Sequence, residues 1–114
     1  MRAASNVPEN ARDSYPRLLV INRDAFAEAH YEVAYHALAA ALHSACDEAN
    51  QERVRTVQTL ATQQRDWIDE HCPEHRMSST SARTRGQNSQ FWMLERQAAA
   101  LRQLALMKAG RLQP

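Results

Sequence analysis

The sequence predicts a single all-α domain, and three observations carry that prediction. Helix-favouring alanine, glutamine, arginine, glutamate and leucine are abundant, whereas the 114 residues include only 2 glycines and 4 prolines. Apolar residues recur at three- and four-residue steps along most of the chain. Alternating runs of Val, Ile, Thr and Phe, which would indicate strands, are absent. We therefore expect three to four helices in an antiparallel bundle or in stacked hairpins.

The first fourteen residues differ in composition from the rest of the chain. Residues 1–14 are polar and small and lack periodicity, so they predict a flexible leader. One helical domain is expected over residues 15–111. Pro16 suits the first turn of its first helix, because the N–H that proline lacks would have no partner there.

The first two helices are predicted by adjoining apolar stripes. One stripe runs from about Pro16 to Ala29, and the next runs from about Tyr31 to Ala49. Neither proline nor glycine separates them. The two stripes are therefore compatible with a tight hairpin around His30 or with one continuous helix.

The second half of the chain has clearer boundaries. Asn50 can cap a helix over about Gln51 to His71, and Pro73 ends it because the residue before a proline avoids the helical region. Residues 72–88 are rich in Ser, Thr and Arg and predict a loop. Asn88 or Ser89 can cap the last helix, which Gly110 is placed to end.

The apolar stripes also predict the core of the domain. Its expected members come from all four helices and include most of the large apolar side chains. They are Leu18, Ile21, Phe26, Tyr31, Leu38, Leu42, Val54, Val57, Leu60, Trp67, Ile68, Phe91, Leu94 and Leu101.

Residues 16–49 contain a helical pattern with alternating small and large residues. Ala34 and Ala41 allow two helices to approach closely, while Tyr31 and Leu38 fill the space beside them, and Leu42 closes the stripe. This spacing resembles the second helix of a tetratricopeptide repeat. The resemblance implies a helical hairpin of a kind that binds peptides or protein segments between stacked hairpins. The match departs from the family at Ala29, where the repeat has glycine, and in the missing closing proline.

Charge and cysteine content limit the function classes. The net charge of +1 comes from 14 basic and 13 acidic residues, which argues against a dedicated nucleic-acid or membrane-surface protein. The 2 cysteines, Cys46 and Cys72, match no disulfide framework, so we expect a cytoplasmic protein. A signal peptide and a membrane-spanning run are not predicted. No motif arranges a nucleophile with a base, so we expect a protein that is not an enzyme.

The predicted loop supplies the candidate partner-binding residues. Arg76, Arg83 and Arg85 lie within it, and arginines beside Ser and Thr can hold a carboxylate or a phosphate. Trp92 follows the loop, and Trp and Arg are frequent at the centres of binding surfaces. The same composition also fits a solvated linker beside a bundle end filled by aromatic residues. The expected partner is a protein or peptide segment.

An alternative function is a metal- or small-ligand-binding bundle. Glu28, Glu32, His36 and His43 could share one helix face, although the Glu-x-x-His spacing of di-iron bundles is missing. His71, Cys72 and His75 gather possible zinc ligands at a helix end, but a structural zinc site needs four ligands. The sequence therefore predicts no cofactor and no metal.

The C-terminal helix predicts self-association. Phe91, Trp92, Met93 and Leu94 are consecutive, and consecutive residues point to all sides of a helix. At least one of them should face away from the core of its own chain. Because monomers rarely expose a large apolar patch, we expect a two-fold homodimer through this helix.

Overall fold

The computed structural model describes residues 13–112, which are mainly helical and contain no strand. Its five helices confirm the predicted all-α fold. They are α1 (Ser14–Ala27), α2 (Tyr31–Asp47), α3 (Gln51–His71), α4 (Ser79–Thr84) and α5 (Gln90–Leu112). The predicted leader lies largely outside the described residues, and its last two members are the N-cap and the first residue of α1. None of the described helices is long and apolar enough to cross a membrane.

The four longer helices form two packed pairs. α1 packs along α2 as a hairpin, α3 packs along α5, and α2 also contacts both α3 and α5. The described chain measures 47 × 47 × 19 Å along its principal axes, so the molecule is flat. Its thickness fits two helix layers, because the axes of packed helices lie about 8–10 Å apart.

The two hairpin turns have the same construction and use alanine where glycine is usual. Ala29 has φ 64° and Ala49 has φ 53°, both in the left-handed region. In the first turn the N–H of His30 donates to the Ala25 carbonyl at 2.8 Å. In the second, the N–H of Asn50 donates to the Ala45 carbonyl at 2.9 Å. These are the six-to-one hydrogen bonds of a Schellman motif, which ends each helix and reverses the chain. The first two apolar stripes therefore form a hairpin and not one continuous helix.

Most of the predicted core is buried. Leu38, Val54, Val57, Ile68 and Phe91 have no exposed surface, and Tyr31, Leu42 and Leu94 are nearly as buried. Small residues fill the spaces between them, with Ala34, Ala41, Ala45, Ala61 and Ala98 fully buried. Four of the predicted members are only partly buried at the edge of this core, namely Leu18, Phe26, Leu60 and Leu101.

Two predicted core residues lie on the surface instead. Ile21 is 49% exposed, because α1 packs through the row Tyr15, Leu18, Asn22 and Ala25, and Ile21 lies beside that row. Trp67 is 41% exposed, because α3 packs through Gln64 and Ile68 and leaves the indole at the edge. In both helices the predicted buried face is displaced by about one residue position from the face that the neighbouring helices cover.

The predicted helix ends are partly correct. The Asn50 side chain accepts from the N–H of Arg53 at 3.1 Å, and the Ser89 hydroxyl accepts from the N–H of Trp92 at 3.3 Å. The cap predicted at Gly110 is wrong, since α5 continues to Leu112. A glycine near the end of a helix lowers its stability without necessarily ending it.

Candidate functional site at the α4–α5 linker

The segment predicted as a loop, residues 72–88, contains α4, and buried polar groups hold that helix in place. Ser78 is fully buried; its hydroxyl donates to the Pro73 carbonyl at 2.5 Å and accepts from the N–H of Ser81 at 3.0 Å. The Asp69 carboxylate on α3 accepts from both the N–H and the hydroxyl of Ser79 at 2.7 Å. α4 is therefore attached to the end of α3, and its residues occupy defined positions.

A glycine turn then directs the chain from α4 into α5. Gly86 has φ 71°, and the N–H of Gln87 donates to the Ala82 carbonyl at 2.9 Å. This turn is a third Schellman motif, and here the left-handed position is occupied by glycine. The turn leaves Gln87 and Asn88 exposed between α4 and the first turn of α5.

Two of the three predicted arginines are engaged in contacts within the chain. Arg76 Nη1 lies 2.7 Å from Glu32 Oε1 on α2. Arg85 donates to the Ser81 hydroxyl at 2.8 Å and to the Arg76 carbonyl at 3.1 Å. These contacts fasten the segment to itself and to α2, so both guanidinium groups have a structural role.

Arg83 differs from the other two arginines. Its side chain is exposed and makes no hydrogen bond or ion pair with any described residue. It lines a hollow of about 250 Å³ together with Trp92, whose side chain remains 38% exposed. Ser79, Gln87, Asn88 and Ser89 complete the lining. An unpaired guanidinium and an accessible indole therefore lie on the same concave surface.

Two further hollows adjoin the same linker residues. One, of about 90 Å³, contains Arg76 and Arg85, and the other, of about 400 Å³, contains Tyr35 and Met93. All three hollows share Gln87 and Asn88. The predicted site residues are therefore divided, with Arg83 and Trp92 on one side of the linker and Arg76 and Arg85 on another.

We call the part of this surface formed by Arg83, Gln87, Asn88, Trp92 and Met93 the linker site. Its chemistry suits a short polypeptide: guanidinium donors fit a carboxylate, amide side chains both donate and accept, and the indole and thioether provide apolar contact. Sequence reasoning missed Gln87, Asn88 and Met93. Gln87 and Asn88 line the same hollow as Arg83, and Met93 lines the adjoining hollow that shares Gln87 and Asn88.

The three aromatic residues near the ends of this segment do not form one cluster. Phe91 is buried with its ring 5.7 Å from that of Tyr35. Trp67 lies elsewhere, 5.6 Å from the Phe26 ring and stacked on His71 at 4.3 Å. Trp92 is therefore the aromatic side chain that belongs to the linker site.

The candidate metal ligands are engaged in other contacts. Glu28 lies 3.6 Å from His30, Glu32 pairs with Arg76, and the His36 ring packs edge-on against Tyr35. Within residues 13–112, no three His, Cys, Asp or Glu side chains are close enough to hold a metal ion. The structure does not bring Glu28, Glu32, His36 and His43 together as a site.

The residues His71, Cys72 and His75 are also separated by their contacts. Cys72 Sγ lies 3.9 Å from the Tyr31 hydroxyl, and His75 Nδ1 accepts from the N–H of Met77 at 3.0 Å. Burial raises the pKa of the Tyr31 phenol, and the Cys72 thiol raises it further. These residues pack around the end of α3 and do not converge on a common point.

The fold and the linker site define a class of protein: a small all-α protein with a concave arginine–tryptophan surface at one end. No protein-family model matches the chain, and comparisons with curated proteins and with solved structures return no match.

Proposed function

We propose that this protein is a non-enzymatic helical interaction module, or small adaptor, that binds a protein or peptide segment at the linker site. The observation that carries the proposal is the unpaired Arg83 beside the exposed Trp92 in one hollow. Trp and Arg are the residue types most enriched among those that dominate binding energy. A cytoplasmic location belongs to the same proposal, and the free thiols of Cys46 and Cys72 support it.

The surroundings of the linker site favour binding because they are already ordered. Ser78, Asp69 and Gly86 hold α4 and the turn, so little backbone freedom would be lost when a partner binds. Arg83 breaks no internal contact in order to meet a ligand. A segment with a carboxylate next to an apolar side chain is the partner that these groups fit best.

Selection from a peptide library tests this proposal. Random peptides of about twelve residues, displayed with free or blocked C-termini, would be panned over the immobilised protein. The affinity of a selected peptide would then be measured by fluorescence anisotropy. We expect Arg83→Ala and Trp92→Ala each to weaken binding by at least about 1 kcal/mol, or roughly fivefold.

Arg96→Ala is the matched control, because Arg96 is exposed one turn beyond Trp92 and lines none of the three hollows. Its affinity should equal that of the unaltered protein. Equal affinities for Arg83→Ala and Arg96→Ala would contradict the proposal, as would a library that yields no binder.

Self-association through α5 is a second proposal, supported by a stripe of residues that shares Met93 with the linker site. Met93, Ala100, Leu104 and Met107 recur at steps of seven, four and three residues and are all exposed. Such spacing is typical of the seam between two paired helices. A two-fold dimer that covers this stripe would remove its apolar side chains from water.

We also propose, from their resemblance to a tetratricopeptide repeat, that residues 16–49 are a repeat-like hairpin. Solenoids of this type need about three stacked units, and one hairpin cannot form their groove alone. We therefore assign segment binding to the linker site and not to the hairpin.

A further inference from the structure

A second concave surface lies between α3 and α5, away from the linker site. Two adjoining hollows of about 230 and 260 Å³ share Arg55 of α3 and Arg102 of α5. Every residue described as lining them belongs to one of these two helices. The two hollows adjoin at these shared residues, and we call them together the α3–α5 groove.

The two ends of the groove differ in polarity. One end is lined by Ala105, Leu106 and Ala109, and Leu106 is 66% exposed. The other end is lined by Thr59 and Thr62. The alanine and threonine side chains are small and leave room for a backbone to approach closely, as happens where helices pack tightly.

The length of the groove suits a helical occupant. Its lining extends along α3 from Gln51 to Gln63, which is about 18 Å at 1.5 Å per residue. A helix of about twelve residues has the same length. An apolar side chain at one end of such a helix would meet Leu106.

The charge of the groove selects the kind of helix. The Arg55 side chain makes no hydrogen bond or ion pair with any described residue, and Arg102 uses Nη1 to donate to Gln58 Oε1 at 2.7 Å. Residues 96–112 of α5 contain four cations and no acidic residue. Glu52 is the one carboxylate among the lining residues. Carboxylates presented between Arg55 and Arg102 would accept charge-assisted hydrogen bonds from both.

We propose that the α3–α5 groove binds an acidic amphipathic helix of a protein partner, with carboxylates between Arg55 and Arg102 and an apolar side chain on Leu106. A second copy that presented the same groove would place its own Arg55 and Arg102 against these cations. A lipid surface is flat and would meet only Leu106 as a large apolar side chain of this groove. The helix-in-groove arrangement uses both the concave shape and the charge.

Two designed helical peptides of about fourteen residues provide the probe. Each peptide has glutamates at positions i and i+4. In one peptide a leucine lies one turn before the glutamates, and in the other it lies one turn after them. Peptide binding would be followed by NMR, using the methyl groups of Leu106 and the Nε–H of Arg55. We expect one of the two peptides to shift these signals and to lose affinity as salt rises.

Variants separate this groove from the linker site. We expect Arg55→Glu to weaken binding at least tenfold and Leu106→Ser at least threefold, while Lys108→Ala matches the unaltered protein. Arg83→Ala should also bind normally, so failure of the linker-site proposal would leave this result intact. Circular dichroism of each variant would establish that its helical content is unchanged.

Four outcomes would overturn the proposal. The first is that neither peptide shifts the groove signals, and the second is that lysine-substituted peptides bind equally well. The third is that the signals move with protein concentration alone, which would indicate a second copy in the groove. The fourth is that Arg55→Glu abolishes binding to vesicles containing phosphatidylserine while both peptides fail to bind.

Discussion

At the scale of single residues, the most informative contact is a buried pair of amides. Asn22 of α1 is 1% exposed, and its Nδ2 donates to Gln64 Oε1 at 3.0 Å and to the Ala34 carbonyl at 2.8 Å. Gln64 Nε2 donates back to Asn22 Oδ1 at 2.7 Å. Because amides are costly to bury without partners, this pair favours one register among α1, α2 and α3.

Removal of one member of the pair should be costly. Asn22→Ala leaves the buried Gln64 amide without its partner and removes one of two donors to the Ala34 carbonyl, so we expect a loss of about 1–3 kcal/mol in the free energy of unfolding. Urea denaturation measures it, with exposed Gln63→Ala as the control. In the double variant Asn22→Leu/Gln64→Leu, the loss of stability should be smaller than the sum of the losses in Asn22→Leu alone and Gln64→Leu alone. Additive losses would mean that the pair has no coupling energy.

Two apolar residues on neighbouring helices test the revised core. Leu38 has no exposed surface, whereas Ile21 is half exposed. We expect Leu38→Ala to cost about 2–5 kcal/mol, because it leaves a cavity. Ile21→Ala should stay within about 0.5 kcal/mol of the unaltered protein, as surface substitutions usually do. A chemical denaturation series that ranks Ile21→Ala above Leu38→Ala would contradict this description of the core.

At the scale of helices and turns, the two hairpins adopt a conformation that their sequence does not favour. Ala29 and Ala49 both occupy the left-handed region, where the Cβ of an L-residue is crowded. The Schellman hydrogen bonds and the packing of the flanking helices maintain them there. Local preference is therefore overridden by tertiary contacts at both turns.

Glycine at these positions should stabilise the protein. In the left-handed region alanine is about 1–2 kcal/mol less stable than glycine, so glycine should stabilise the folded state by that amount. Part of this stabilisation is lost because glycine also makes the unfolded chain more flexible. We expect Ala29→Gly and Ala49→Gly each to raise the thermal midpoint. The reverse change at the third turn, Gly86→Ala, should lower it, although nothing lies close enough to clash with the added methyl. A fall in the midpoint for both alanine variants would contradict the strain inferred from their φ angles.

The start of α1 is tied to the start of α3 by an ion pair that depends on pH. The Asp13 carboxylate caps α1 and accepts from Arg53 Nη1 at 3.2 Å and Nη2 at 2.9 Å. The guanidinium of Arg53 also lies 4.3 Å from the centre of the Tyr15 ring. Hydrogen bonds from Arg53 hold the pKa of Asp13 below its usual value of 3.8, so folding favours the ionised form.

The sign of the pH effect follows from that depressed pKa. Stability from the Asp13–Arg53 pair is complete above the pKa of the unfolded chain and is lost as pH falls through the lower, folded pKa. We expect Asp13→Asn to be less stable than the unaltered protein at pH 6, and the difference to be smaller at pH 3, below the usual pKa of 3.8. Urea denaturation at the two pH values measures this. Asp24→Asn, at a carboxylate that is 60% exposed, should show a smaller difference.

At the scale of the whole molecule, flatness determines how much apolar surface stays in water. Two helix layers bury one face of each helix and leave the opposite face uncovered. On α5 this leaves Trp92, Met93, Leu104, Leu106 and Met107 exposed, while Phe91 and Leu94 are buried. The prediction that at least one of the residues 91–94 faces away from the core is therefore confirmed.

We expect a homodimer through the outward stripe of α5. Sedimentation equilibrium should give twice the monomer mass at micromolar concentration, because pairing of Met93, Leu104 and Met107 removes apolar area from water. Leu104→Glu should shift the protein towards monomer, while Val20→Glu, at an exposed apolar position on α1, should not. A monomer mass throughout the micromolar range would reject the dimer.

By itself, the sequence determined the four longer helices, because helix formation depends on local properties; it did not predict α4. Alanine-rich composition, three- and four-residue periodicity, the cap at Asn50 and the proline after Cys72 predict α3 with its observed bounds. The same periodicity identified Leu38, Val54, Ile68 and Phe91 as buried. These properties need no knowledge of what a helix packs against.

Only the tertiary structure decided which edge of each stripe is covered and which polar residues meet. The burial of Asn22 and the exposure of Ile21 depend on how α1 is rotated about its axis against α2 and α3. The apolar stripe of one helix determines this rotation only to within about one residue position. Likewise, the polar segment 72–88 is ordered because Asp69 of α3 and the buried Ser78 within the segment accept from and donate to its backbone. The linker site depends on that order, since Arg83 and Trp92 lie nine positions apart and meet only because Gly86 reverses the chain between them.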